Sequence, residues 1–223
     1  MDAVAPRAVS AERERTAGIV LAGGPGSRLG LGRSKAWAPT PDGRTFLDIA
    51  LATLEPACRL VFVAAPAAID LPAAHAFHIR VHDRAEGEGP LAGLVAALAY
   101  AGRCRFEHAF VLAVDLPPLA AADLARLRAA GGAHATAVVP CTARGLEPML
   151  AFVDVARFGP AAERAWQAGE RAVHRVFEGL GPEGLVTVDA EDPRAWPSGP
   201  RALAGVNTPE DYARAWGQLP GRP

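Results

Sequence analysis

Arg28 lies within, and Lys35 follows, a stretch with glycines at positions 23, 24, 26, 30 and 32. A guanidinium meets phosphate oxygens with a fork of donors, and an ammonium meets them as a compact, mobile charge. Glycine lets the backbone turn sharply and approach a ligand closely, and successive N–H groups in such a turn make a concavity for anions. Lys35 is the single lysine of the chain, every other basic charge being an arginine. A lysine at this one position points to a site where the compact ammonium matters. Asp115 ends an apolar run, and a carboxylate beside phosphates is a natural oxygen ligand for Mg²⁺. Glycines, cations and carboxylate together suit a nucleoside triphosphate held with a divalent cation. A glycine-rich turn with incidental cations, and a turn-forming Asp ahead of Pro117-Pro118, are the structural alternatives.

The elements that must position these residues follow from hydrophobic patterning. Apolar runs at 17–22, 59–64, 77–81, 107–114, 135–140 and 184–188 read as strands, and 144–153 as a turn followed by another strand. Helical spacing appears at 45–54, 90–101, 124–130, 157–169 and 171–179, with Asp123 the expected cap of the third of these. The Ala/Pro-rich stretch 66–76 is expected to be a short helix or irregular crossover. Residues 193–200 read as a loop with Trp196 as a packing anchor. Thr208-Pro209 has the form of a helix start, with Thr at the cap and Pro at the first helical position. Strands alternating with helices imply parallel strands joined by right-handed crossovers, and such sheets collect ligands at the carboxyl ends of their strands. The glycine loop follows one such end and Asp115 follows another.

The 223 residues suffice for one substantial core, with residues 16–219 forming a single domain and 1–15 a mobile tail. A formal net charge of −1 lacks the basic face that sequence-independent nucleic-acid binding requires. Cys58, Cys104 and Cys141 are odd in number and widely spaced, which suits neither a disulfide framework nor a zinc site. The first fifteen residues have no apolar core of a secretory signal, and no apolar run is long enough to span a membrane. The expectation is a cytoplasmic protein without membrane or nucleic-acid partners; nothing in the residues specifies an oligomeric state.

The glycine loop fits neither of two widespread phosphate loops. No Gly-Lys-Ser/Thr occurs, and Gly24-Pro25-Gly26 followed by Gly30 misses the dinucleotide-binding spacing by one residue. Leu21-Ala22-Gly23-Gly24-Pro25-Gly26-Ser27-Arg28-Leu29, with Lys35 seven residues after Arg28, instead resembles the signature of the nucleotidyltransferase superfamily. Three further stretches occur in that superfamily's order: Gly89-Pro90-Leu91-Ala92-Gly93 a few residues after Asp83, Val114-Asp115-Leu116-Pro117, and Asn207-Thr208-Pro209-Glu210-Asp211. The chain thereby resembles the MobA-like NTP transferases, the molybdenum cofactor guanylyltransferase branch, over residues 17–216. It differs from that branch at Gly205, where an Asn is usual, at Glu147, where a His is usual, and in two additional residues between Arg28 and Lys35.

The resemblance implies an α/β fold, a three-layer α/β/α sandwich around a Rossmann-like, mostly parallel sheet. It implies transfer of a nucleoside monophosphate, GMP from GTP, to a phosphorylated acceptor, molybdopterin, with release of pyrophosphate. A sugar, polyol or other small phosphate as acceptor is the alternative, and a non-catalytic nucleotide-binding module a third reading. Leu21, Ala22, Gly23, Gly24, Gly26, Ser27, Arg28, Lys35, Asp83, Gly89, Pro90, Leu91 and Gly93 would contact the nucleotide. Arg28 and Lys35 would be catalytic, Asp115 would hold Mg²⁺, and Asn207 would face the acceptor.

Overall fold

A computed structural model describes residues 11–24, 26–67, 78–82, 89–132 and 134–217. Its centre is a sheet of eight strands among these residues: β1 (Thr16–Leu21), β2 (Leu60–Ala65), β3 (Ile79–His82), β4 (His108–Ala113), β5 (Ala137–Thr142), β6 (Gly145–Leu146), β7 (Leu150–Asp154) and β8 (Leu185–Asp189). The order is β3-β2-β1-β4-β7-β5-β6, with β8 on β5. β3, β2, β1 and β4 are mutually parallel. Every residue of β1 is buried, as befits a strand covered on both faces. β7 runs antiparallel to both β4 and β5. The chain between β5 and β7 holds only a turn and two-residue β6, too short for a parallel crossover, so it returns as a hairpin.

Side chains alternate along the strands and divide the interior in two. Val20, Ala22, Phe110 and Leu112 point to a layer formed by α2 (Phe46–Leu54), α4 (Ala121–Gly131) and α8 (Pro209–Trp216). Ile19, Leu21, Ala109 and Val111 point to the opposite layer, formed by α3 (Pro90–Arg103), α5 (Val155–Gln167) and α6 (Val173–Glu178). The result is the three-layer α/β/α arrangement around a mostly parallel sheet. Trp196 is fully buried in the first layer, as a packing anchor should be. Burial pushes the Cys58 thiol up to about 12, so this cysteine fills space rather than acting as a nucleophile.

Three expectations are corrected. Residues 11–14, placed in a tail, form a short helix, α1 (Ala11–Glu14), held by Arg13 donating to the Glu55 carbonyl and by the Thr16 hydroxyl donating to the Glu12 carbonyl at 2.7 Å. Asp123 is not the residue before its helix but the third within it. Its buried carboxylate reaches back to accept from the Ala120 N–H at 2.8 Å and also takes the Ser198 hydroxyl, tying the 193–200 loop to α4. The early strands differ from expectation by a residue or two, β1 lying one residue earlier, β2 and β3 later and β4 being shorter at both ends, because pairing with neighbours rather than apolar composition sets their limits. The stretch at 66–76 lies mostly outside the described residues.

Gly18 sets how closely α2 lies on β1. A Cβ there would stand 3.1 Å from both the Leu54 Cδ1 and Val61 Cγ2 atoms and 3.3 Å from Cys58 Sγ. Gly18→Val is expected to destabilise the fold by about 1–3 kcal/mol through overpacking, lowering Tm by roughly 2–4 °C per kcal/mol. A thermal melt checks this, and an unchanged Tm would mean that α2 can withdraw freely.

Candidate active site

β1 lies between β2, which leads outward to β3, and β4, which leads the other way, so the strand order reverses here. A crevice outside the carboxyl ends of β1 and β4 is where an open parallel sheet binds ligands. A cleft of about 440 Å³ opens there, lined by Leu21, Gly23, Gly24, Lys35, Ala64, Pro66, Gly89, Pro90, Gly93, Ala113, Val114, Asp115 and Met149. Backbone bonds join its walls: Val114 N–H donates to the Leu21 carbonyl at 3.1 Å and Ala22 N–H to the Ala64 carbonyl at 2.8 Å.

The glycine loop folds on itself. Gly26 N–H donates to the Arg33 carbonyl at 3.0 Å, and the Gly26 carbonyl accepts from Leu31 N–H at 3.2 Å. A Cβ on Gly26 would fall 2.1 Å from the Arg33 carbonyl oxygen, so no larger residue fits this closure. Buried Leu29 anchors a 3₁₀ turn at Ser27–Leu29. The Ser34 hydroxyl accepts from Ala36 N–H at 3.3 Å and caps a second such turn, Lys35–Trp37, which carries the lysine into the cleft.

Lys35 is nearly enclosed, its side chain 8% exposed. Its Nζ donates to Asp115 Oδ2 at 2.7 Å and to Asn207 Oδ1 at 2.5 Å. Asp115 Oδ1 has no hydrogen-bond partner among the described residues. Val206 N–H donates to the Asp115 carbonyl at 2.8 Å, which straps the segment before α8 against the end of β4. Asn207 is held in turn by Asp211, whose carboxylate accepts from the Asn207 and Thr208 N–H groups, each at 2.9 Å. The Thr208 hydroxyl accepts from Asp211 N–H, completing a capping box at the start of α8. The Tyr212 hydroxyl donates to the Pro39 carbonyl at 2.8 Å, joining α8 to the segment that follows Lys35.

Burial disfavours the Asp211 charge, but the two N–H donors, the Thr208 hydroxyl and Arg214 outweigh it and hold the carboxyl below its ordinary value. A depressed carboxyl stabilises the fold above its unfolded pKa, and that contribution disappears as the pH falls through the folded value. Asp211→Asn is therefore expected to lower Tm at neutral pH by roughly 2–4 °C, the scale of a weakened cap. The gap should close as the wild type is acidified below the usual Asp range of about 3.9. Parallel melts against pH check this; a gap constant with pH would exclude the charge as its origin.

Of the expected nucleotide contacts, Leu21, Gly23, Gly24, Lys35, Gly89, Pro90 and Gly93 line the cleft together with Asp115. Ala22, Gly26, Ser27 and Arg28 do not, although they belong to the adjoining loop. Arg28 is exposed and has no partner among the described residues. The Leu91 side chain is fully buried in the second apolar layer, so only its backbone N–H at the start of α3 could meet a ligand. Asp83 lies outside the described residues. Asn207 is absent from the lining, and both polar atoms of its amide are engaged, Nδ2 donating to the Gly205 carbonyl at 3.0 Å. Ala64, Pro66, Ala113, Val114 and Met149 complete the apolar wall; none bears a group whose chemistry marks it in sequence.

Glycine-loop amides, an enclosed lysine and a strand-end carboxylate around one cleft suit a polyphosphate. The sequence matches the MobA-like NTP transferase domain over residues 18–183. The chain belongs to this family. As a MobA-like NTP transferase it is 37% identical over 131 residues to the molybdenum cofactor guanylyltransferase of Pseudomonas fluorescens (strain SBW25), a match spanning 57% of this chain and 58% of that relative's length. It is 32% identical over 192 residues to the molybdenum cofactor guanylyltransferase of Pseudomonas syringae pv. syringae (strain B728a), covering 86% of this chain and 88% of the relative. Its fold is similar to the crystal structure of molybdopterin-guanine dinucleotide biosynthesis protein A from Archaeoglobus fulgidus, with a TM-score of 0.68 and 23% identity over 90% of this chain and 96% of that one. No described helix is long and apolar enough to cross a membrane.

Proposed function

We propose that this MobA-like NTP transferase moves GMP from GTP to molybdopterin and releases pyrophosphate. The observation that carries the reading is Lys35, fixed by Asp115 and Asn207 on the wall of the cleft at the carboxyl ends of β1 and β4. The names of the relatives support guanine as the base and molybdopterin as the acceptor.

In this reaction an oxygen of the acceptor phosphate attacks the α-phosphorus of GTP. A new P–O bond forms, the α–β bridging bond breaks, and its electron pair leaves with pyrophosphate. The nucleophile is already an anion, so the protein needs no covalent intermediate and no strong base. Its contribution is positioning and charge stabilisation. Loop N–H groups and Arg28 would bind the β- and γ-phosphates, and Lys35 would neutralise charge on the transferring phosphoryl group. Leu21, Pro66, Pro90 and Gly93 would enclose the nucleoside.

The donor set also suits Mg²⁺, since Asp115 Oδ1 has no hydrogen-bond partner among the described residues and magnesium takes one or two carboxylates with phosphate oxygens and water. Among the described residues no three His, Cys, Asp or Glu side chains gather into a metal cage, and Asp115 is the carboxylate that lines the cleft. Bound there, the ion would supply neutralisation of the phosphate oxygens.

The second reading, a sugar or polyol phosphate as acceptor, rests on the two additional residues between Arg28 and Lys35, and a second departure from the branch accompanies it. Glu147, where the branch usually carries His, accepts from the Thr142 hydroxyl at 2.9 Å and from Arg144 at 2.8 Å, near the end of β5. Pyrophosphate release, measured with each of four NTPs against molybdopterin and a panel of sugar and polyol phosphates, separates the two. GTP with molybdopterin should give the highest kcat/KM. Turnover of CTP or ATP with a sugar or polyol phosphate, and none with GTP, would replace this reading by the second.

A further inference from the structure

Lys35 is a useful phosphate ligand only if its ammonium points into the cleft, and the residues that aim it can be traced. An ammonium has three N–H donors. Two of them go to Asp115 Oδ2 and Asn207 Oδ1, at 2.7 and 2.5 Å, which leaves the third for a ligand. The two acceptors differ in kind. Asp115 stands at the end of β4, where its second carboxylate oxygen is open to other work. Asn207 has no spare polar atom.

Three contacts decide which way the Asn207 amide faces. Its N–H is held by Asp211 at 2.9 Å, fixing the backbone at the entry to α8. Its Nδ2 donates to the Gly205 carbonyl at 3.0 Å, and this turns Oδ1 towards the lysine. The third is the bond from Lys35 itself. Gly205 makes the arrangement possible, because a Cβ there would stand 3.3 Å from Asn207 Nδ2 and 3.5 Å from Asp115 Oδ1. The first of these approaches is tight and the second an ordinary contact, so a side chain at 205 would bear mainly on the Asn207 amide.

We infer that Asn207 is a positioning residue which, by accepting from Lys35 Nζ, aims the remaining N–H of the ammonium at the phosphate of the nucleotide. This rests on the proposed nucleotidyl transfer for its catalytic consequence, but not for its structural content. It differs from a direct contact between Asn207 and the acceptor, since the bonds its amide makes are to Lys35 and the Gly205 carbonyl.

Two measurements test it. In the first, kcat and both KM values are determined for Asn207→Ala, Lys35→Ala and the double variant. A residue acting through another loses its effect once that other is gone. Asn207→Ala should reduce kcat by about 10–100-fold, the scale seen when a supporting hydrogen bond to a functional group is lost. The acceptor KM should change little, and the double variant should be no slower than Lys35→Ala. Multiplicative losses, or a raised acceptor KM with kcat preserved, would overturn the positioning role.

The second measurement needs no turnover. Because Lys35 is the single lysine, protein labelled with ¹⁵Nζ-lysine gives one side-chain ammonium resonance. In the wild type this signal should show slowed proton exchange from an enclosed, doubly bonded ammonium. Asn207→Ala should shift it and speed exchange, whereas Thr208→Ala, which weakens the α8 cap but keeps the amide, should lower Tm and leave the signal near its wild-type position. An unmoved signal in a folded Asn207→Ala protein contradicts the inference, whatever substrate the enzyme uses. A moved signal in a protein that turns over none of the proposed substrates sustains the positioning and overturns only the proposed reaction.

Discussion

Lys35→Ala is expected to lower kcat by about a hundredfold or more and to weaken GTP binding far less. The size is that of losing one donor aimed at charge that develops in the transition state. GTP is retained because the glycine-loop N–H groups and the start of α3 are unaffected. The Lys35 side chain is 8% exposed, so its charge acts in surroundings where water screens it poorly. Lys35→Arg is not expected to restore the rate. The planar guanidinium is wider than an ammonium and cannot take its place between Asp115 Oδ2 and Asn207 Oδ1. Steady-state kinetics with direct measurement of GTP affinity checks both variants. Unchanged turnover in Lys35→Ala would remove the residue from the mechanism.

Asp115→Asn should give a folded protein with nearly wild-type melting that needs at least about tenfold more Mg²⁺ for its remaining activity, since magnesium at phosphates relies on few carboxylates. The amide keeps the shape of the carboxylate, and its oxygen still accepts from Lys35, so the ammonium stays in place. The lost quantity is negative charge at the open oxygen. As a mere turn residue before Leu116-Pro117-Pro118, Asn would serve nearly as well and activity would survive. A magnesium titration of both proteins, with direct metal-binding measurements and melts alongside, decides between the two. Full activity at the magnesium optimum of the wild type would make Asp115 a turn residue.

Much of the fold could be read from the chain because its strands are short apolar runs separated by helical spacing, and parallel sheets buried on both faces produce that pattern. The turned direction of β7 could not, since its residues are as apolar as those of β4 and only the brevity of the connection tells them apart. In the site, Lys35, Asp115 and Asn207 each stand out separately, the first by its rarity, the second by its strand end, the third as part of a motif that carries the resemblance. Their meeting was not legible. Positions 80 and 172 residues apart carry no local signal of contact. The expectation for Asn207 names only the acceptor; the structure adds a contact of its amide with the lysine. Leu91 shows the opposite limit: it sits inside the 89–93 stretch that carries the resemblance, yet its helical spacing with Leu94, Val95 and Leu98 marks it as core.

The fate of the α-phosphorus tests the central claim most directly. GTP carrying an isotopic label at that atom is incubated with the protein, molybdopterin and Mg²⁺, and the products are separated. If this cleft performs nucleotidyl transfer, the label appears on the acceptor joined to guanosine, with one pyrophosphate released for each product formed. Label confined to free GMP or GDP, or a γ-phosphate transferred in its place, would contradict the account.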